Sequence, residues 1–210
     1  VTNGRGVYEN IKNVIGFLLS GNMAGILCVL FASMMALPAP FAAVHLLFIN
    51  LLTDSLPAIA IGMEPAGSDL LNRKPRDPQE PLLSRDLAKR IGLQGLLIAI
   101  PVMIAFYQGY RTGTAEAMTM AFATLTLARL FHGFNCREDR SILRMGLSGN
   151  PASLAAFGVG VLLLAAVLLI PALHGLFQVA ALTLPQLGMI AGLALLPTLC
   201  IQLVRIARGK

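Results

Sequence analysis

Apolar residues fall in six long runs separated by polar breaks of very unequal length. The runs cover about residues 14–37, 41–63, 91–110, 117–134, 154–176 and 187–206. At 1.5 Å of rise per residue, about 20 residues match the ~30 Å hydrocarbon core of a bilayer, so each run predicts a transmembrane α-helix. The runs are continuously apolar, not alternating, which excludes the strands of a membrane β-barrel. Pro38 and Pro40 close the first run. The break over 64–90 is long and proline-rich, and that over 135–150 is charged. The fifth and sixth runs are joined by a short, weakly polar turn, the least marked boundary in the chain. No period of about 20–50 residues recurs, so a solenoid is not predicted. The expected fold is all-α: six transmembrane helices in a bundle over 14–206.

Composition agrees with a bilayer as solvent. The 210 residues are 56% hydrophobic and 12% charged, with mean hydropathy +0.75; soluble domains carry about 25% charged residues. A net charge of +6 raises nucleic acid as a partner, but a nucleic-acid surface needs a basic face with polar or aromatic readers. Here the basic residues cluster between apolar runs. Arg5 and Lys12 precede the first; Arg73, Lys74, Arg76, Arg85, Lys89 and Arg90 follow the second. Arg137, Arg140 and Arg144 follow the fourth, and Arg205, Arg208 and Lys210 close the chain. Only Arg111 lies in a loop of the other side, and Arg129 lies within a run. The positive-inside rule therefore predicts a multi-pass cell-membrane protein with both termini and the 64–90 and 135–150 loops in the cytoplasm. An even number of crossings fits this, and a four-crossing arrangement breaks it. Residues 1–13 lack signal-peptide features and read as the cytoplasmic stalk end of a first helix already in progress; 207–210 read as a cytoplasmic tail. Cys28, Cys136 and Cys200 have neither metal-site nor disulfide spacing.

Polar side chains inside the runs are few, and an ionisable group at mid-membrane marks a functional site by default. Asp54 is the one acidic residue well inside a run. Asn50 stands four residues before it, on the same face of a regular helix, and Thr53 borders that face. Pro57 has no N–H to return to the carbonyl of Thr53, so a kink and a freed backbone oxygen are expected there. Carboxylate, amide oxygen, hydroxyl and carbonyl together form a hard-oxygen set suited to Ca²⁺, which takes about 6–8 oxygen ligands. The competing reading is a protonated Asp54 hydrogen-bonding neighbouring helices. In the first run Gly21 and Gly25 form a small-residue pair that admits a close helix. Asn22 beside them suits either an interhelical hydrogen bond or one more cation ligand. Arg129 either snorkels to the cytoplasmic interface or stays inside, pairing with Asp54 or filling a place a metal would take. His132 reads as interfacial; His45 and His174, at outer ends of runs, read as incidental.

Phosphate-binding loops, Walker motifs and nucleophile–base arrangements are lacking, and the cytoplasmic loops are too short for a catalytic domain. The chain by itself reads as an ion-pathway membrane domain without catalytic activity of its own.

Four stretches resemble a known family. "NLLTDSLPA" resembles the sixth-helix signature of type II P-type calcium ATPases, and "GRGVYENIKNVIGFLLSGN" the stalk and fifth helix. "RKPRDPQEPLLS" is similar to the loop between helices six and seven, and "LFHGFNCR" to the end of helix eight in bacterial members. The resemblance covers nearly the whole chain and implies that its six spans are family helices five to ten. It implies Asn50, Thr53, Asp54 and Asn22 as calcium ligands. Two departures matter: Gly25 and Arg129 stand where the animal reticulum pump has glutamates. Both remove carboxylates from one of the family's two sites, implying one Ca²⁺ per cycle, with Arg129 as a built-in charge in the vacated site. The helix-four glutamate and the motifs for phosphorylation and actuation lie outside the chain. ATP and Mg²⁺ would belong to those absent cytoplasmic domains; the implied partners are the lipid bilayer and the N-terminal remainder of a pump, namely its actuator, phosphorylation and nucleotide domains and helices one to four. Two alternatives stand beside this: a standalone six-helix module with a structural or passive-transport role, and a P-type pump for another cation such as Mn²⁺ or Na⁺. A sodium–potassium pump is expected to carry further carboxylates on helices five and six, which this chain lacks.

Overall fold

The computed structural model describes residues 2–65, 79, 81–137 and 140–210. Most of "RKPRDPQEPLLS" falls outside the described residues. Helix α1, Thr2–Met34, has 33 residues, about 50 Å of helix and longer than a bilayer core is thick. It ends in a Schellman turn: Leu37 N–H donates to Ala32 C=O at 2.8 Å and Ala36 N–H to Ser33 C=O at 3.2 Å. Ala36 takes the left-handed position, φ 55°, where glycine is usual. Leu37 then packs against the core that Ala32 belongs to.

The second span is broken into α2 (Ala43–Phe48), a π-helical turn (Ile49–Thr53) and α3 (Ser55–Gly62). Helix α4, Arg85–Tyr110, starts six residues before the apolar run, because Ser84 caps it by accepting from Leu87 N–H at 3.2 Å. Arg85, Lys89 and Arg90 are thus helical, not loop residues. The three-residue turn 111–113 joins α4 to α5, Thr114–Asn135. The connection after it contains the short α6, Ile142–Met145, and a 3₁₀ turn, Leu147–Gly149.

The fifth run divides. Helix α7, Pro151–Leu169, is capped by Asn150; a separate short helix, α8, spans Pro171–Phe177. Ile170 is extended, φ −89° and ψ 111°, the backbone a residue before proline prefers. A run predicted to reach 176 therefore ends its crossing at Leu169. Helix α9, Leu184–Ala207, opens with a Thr183/Gln186 capping box.

Every regular element among the described residues is helical. Five segments are long and apolar enough to cross a membrane: Gly4–Met34, Ala43–Gly62, Arg85–Tyr110, Pro151–Leu169 and Leu184–Ala207. The sixth, α5, has the length but not the apolarity, for it carries buried Thr119, Thr124, Thr126, Arg129, His132 and Asn135. It is sheathed by α1, α3, α4, α7 and α9, so its polar groups face protein, not lipid. The main core cluster runs through it, from Ala117 to Ala128. The protein is a multi-pass membrane bundle with α5 at its centre.

A buried ion pair between the second span and α5

The π-turn decides where Asp54 points. Asp54 N–H donates five residues back, to Ile49 C=O at 2.8 Å, and such turns recur at functional sites. The helix runs on through Pro57 without a break, so the irregularity lies one turn before the proline, not at it. The extra residue in the turn also separates Asn50 from Asp54. Asp54 is 3% exposed, whereas Asn50 faces outward; the shared face expected of a regular helix is not formed. Thr53 is buried, and its hydroxyl donates to Ile49 C=O at 3.1 Å. Pro57 is buried against α5, where a Cβ on Gly133 would stand 3.1 Å from the proline ring.

Arg129 reaches across from α5. Its Nη2 donates to Asp54 Oδ2 at 2.6 Å and lies 3.5 Å from both Leu18 C=O and Asn22 Oδ1 on α1. At 3% exposure it does not snorkel, which decides between its two sequence readings. Gly21 makes the room, since a Cβ there would overlap the guanidinium. The small residue thus admits a cation rather than a helix backbone. Gly25, one turn on, has nothing within 4 Å of a would-be Cβ.

The pair is incompletely satisfied. Asp54 Oδ1 and Arg129 Nε are buried without hydrogen-bond partners. Buried polar groups rarely stay unpaired in a purely structural pair, and desolvating two charges is repaid only when every lone pair and proton is used. One carboxylate oxygen of Asp54 is therefore left unused by the protein's own donors. Structure brings Asp54, Arg129 and Asn22 together; it leaves Asn50 apart and Thr53 turned to its own backbone. Asn22 and Asn50 are both exposed, two amides in spans whose neighbouring surface is apolar.

Sequence reading missed two further polar networks. His132, expected at the interface, is fully buried. Ser20 Oγ donates to Phe17 C=O at 3.1 Å and meets His132 Nε2 at 2.9 Å, so the ring donates from Nε2. Its Nδ1 accepts from Asn135 Nδ2 at 2.9 Å. Asn135 extends the network to α9 through Thr198 at 3.1 Å and Gln202 at 2.7 Å, and Arg205 donates to its carbonyl at 2.7 Å. His45 is not incidental either: it is fully buried, stacked on Phe122 with centroids 4.5 Å apart. Its Nδ1 accepts from Ala42 N–H at 3.0 Å, leaving Nε2 to donate to Gln178 C=O at 3.1 Å. His174 Nε2 lies 2.8 Å from Leu168 C=O.

The second network is centred on Glu64, just past α3. Its Oε2 accepts from Arg137 Nε at 2.8 Å and Asn150 Nδ2 at 2.7 Å; its Oε1 accepts from Arg137 Nη2 at 3.0 Å. Asn150 and Asn10 also cap the last carbonyls of α3, donating to Ala60 at 2.9 Å and Gly62 at 3.1 Å. The signal was a lone carboxylate at the exact end of a span in a chain with 10 acidic residues.

A family model described as the C-terminus of cation transporting ATPases matches residues 38–207. A calcium-transporting ATPase of Bacillus subtilis is 36% identical over 213 residues, covering 100% of this chain and 24% of that protein. Calcium-transporting ATPase 1 of Lactococcus lactis is 37% identical over 211 residues, again 100% and 24%. Calcium-transporting ATPase type 2C member 2 of Rattus norvegicus is 31% identical over 198 residues, covering 92% and 21%. The chain spans about a quarter of the length of the curated relatives it matches.

Proposed function

The chain belongs to the cation-transporting ATPase family, and on that premise we propose that it forms the ion pathway of an ATP-driven pump that exports Ca²⁺, one ion per cycle, bound at Asp54. The observation that carries the reading is the Asp54–Arg129 pair with its unused carboxylate oxygen. Relatives named as calcium transporters supply the ion. Asp54, Asn22, Asn50 and the Thr53 backbone oxygen are hard donors, too few for the ~6–8 oxygens Ca²⁺ requires. The exposed amides of Asn22 and Asn50 then meet helices that precede this chain in the intact protein, which complete the shell. Those missing parts also hold the actuator, phosphorylation and nucleotide domains, where ATP and Mg²⁺ act. The basic clusters support a cytoplasmic position for both termini.

Arg129 has two tasks. With the ion bound, its charge disfavours a second one nearby: at an effective dielectric of 20 a unit-charge pair at 4 Å is worth about 4 kcal/mol, where about 1.4 kcal/mol is already tenfold in affinity. With the ion gone, it neutralises Asp54 in the apolar interior. The test is bound ⁴⁵Ca per phosphorylated site in the intact protein. One ion, with a Hill coefficient near 1, is expected. Two ions per site, or phosphorylation indifferent to Ca²⁺, overturns the reading.

A further inference from the structure

Two ion pairs join the same two segments. Asp54–Arg129 links the second span to α5 at mid-span, and Glu64–Arg137 links their ends. Glu64 lies ten residues beyond Asp54, about 15 Å of helix, and Arg137 eight residues beyond Arg129, about 12 Å. The segments therefore run in the same direction, and the pairs are two rungs of one ladder. The rungs differ in finish. At the lower one, Arg137 Nε and Nη2 both reach the Glu64 carboxylate, Nη1 donates to Gly146 C=O at 3.2 Å, and the Arg137 carbonyl accepts from Asn13 at 2.9 Å. Asn10 donates to the Glu64 carbonyl at 2.9 Å. This rung is gathered in by α1, the α6–3₁₀ connection and the cap of α7.

We infer that Glu64 and Arg137 are positioning residues for the mid-membrane site: by tying the segments that Asp54 and Arg129 bridge, they set how strongly Arg129 competes with an entering cation for Asp54. The inference rests on the reading of Asp54 as a cation ligand. A second attachment between two bodies makes the first effectively intramolecular and raises its occupancy without changing its own contacts. Arg129 and the cation claim the same carboxylate. Loosening the lower rung weakens the claim of Arg129, so the cation binds more tightly; Arg129 also becomes slower to reclaim Asp54, so release is delayed. Affinity and turnover thus move in opposite directions, which general destabilisation does not produce.

The experiment uses the full-length pump in membranes, with Ca²⁺ as the probe. Glu64→Gln is expected to lower the half-saturating Ca²⁺ concentration for phosphorylation at least three-fold and to reduce maximal turnover. The exchange Glu64→Arg with Arg137→Glu is expected to return both towards wild type. Unchanged or raised half-saturation in Glu64→Gln, with the wild type responding to Ca²⁺, overturns the inference and leaves the pump reading intact. Loss of the Ca²⁺ response in the wild type overturns the pump reading, and this inference with it. Should Glu64→Gln fail to assemble, Arg137→Lys decides by the same split, because lysine keeps the charge but loses the two-pronged geometry.

Discussion

The two rungs between the second span and α5 are made of the same chemistry, a carboxylate and a guanidinium, and finished in opposite ways. At Glu64–Arg137 both carboxylate oxygens and all three guanidinium nitrogens have partners. At Asp54–Arg129 one oxygen and one nitrogen are left over, although the two pairs are about equally buried. A fully satisfied polar network fixes a structure, and an unsatisfied one holds free energy that a ligand can collect. Burial and charge alone do not tell the pair we propose as holding from the pair we propose as exchanging; the count of filled hydrogen-bond positions does.

The largest effect should come from the exchanging rung. Asp54→Asn in the intact pump is expected to abolish Ca²⁺-dependent phosphorylation, more than 100-fold by [γ-³²P]ATP labelling, while the protein still assembles. Near-normal calcium affinity in that variant would erase the distinction. At the holding rung, Arg137→Ala leaves a buried carboxylate without its cation, which costs about 3–5 kcal/mol. It should appear as a sharply lower unfolding temperature in detergent. A larger loss of calcium affinity than of thermal stability would reverse the two roles. Gly21→Ala pushes on the Arg129 guanidinium without touching Asp54, and should shift the half-saturating Ca²⁺ concentration several-fold with less change in stability. Asn50→Ala removes one neutral oxygen, worth about 1 kcal/mol or roughly five-fold in affinity; an effect as large as that of Asp54→Asn would mean that Asn50 turns inward when the ion binds. Single cysteines at Ser84 and Gly113 should label from opposite faces of the membrane, the first from the cytoplasm, and labelling from one face would place the holding rung at the wrong end.

The spans, their number and the charge at mid-membrane were legible because continuous apolarity and isolated charges need no knowledge of neighbours. Asp54 was found that way, and Arg129 was recognised as one of two possibilities. What stayed hidden depended on local geometry or on partners distant in sequence. Nothing in "INLLT" announces a π-turn, yet that turn moves Asn50 away from Asp54. His132 looked interfacial because Ser20, its partner on α1, lies 112 residues away in the chain. Glu64 and Arg137 were read as loop charges, since their partnership spans 73 residues of chain. The Pro171 break was readable from the proline alone, but the apolar run on both sides of it masked the end of the crossing.

The sheathing of α5 also bears on how the protein is made. A guanidinium near the middle of a helix resists insertion into the bilayer by about 2.5–3.5 kcal/mol, and the threonines of α5 offer little to offset it. The three-residue turn before it ties α5 to α4, which is long and apolar enough to enter alone, so α5 is expected to enter as the second arm of a hairpin. Synthesis order matters as well: Asp54 precedes Arg129 by 75 residues of chain and is expected to enter the membrane before its counter-charge. Correct biogenesis of the least membrane-like helix thus depends on a neighbour that draws it in and an earlier span that welcomes it.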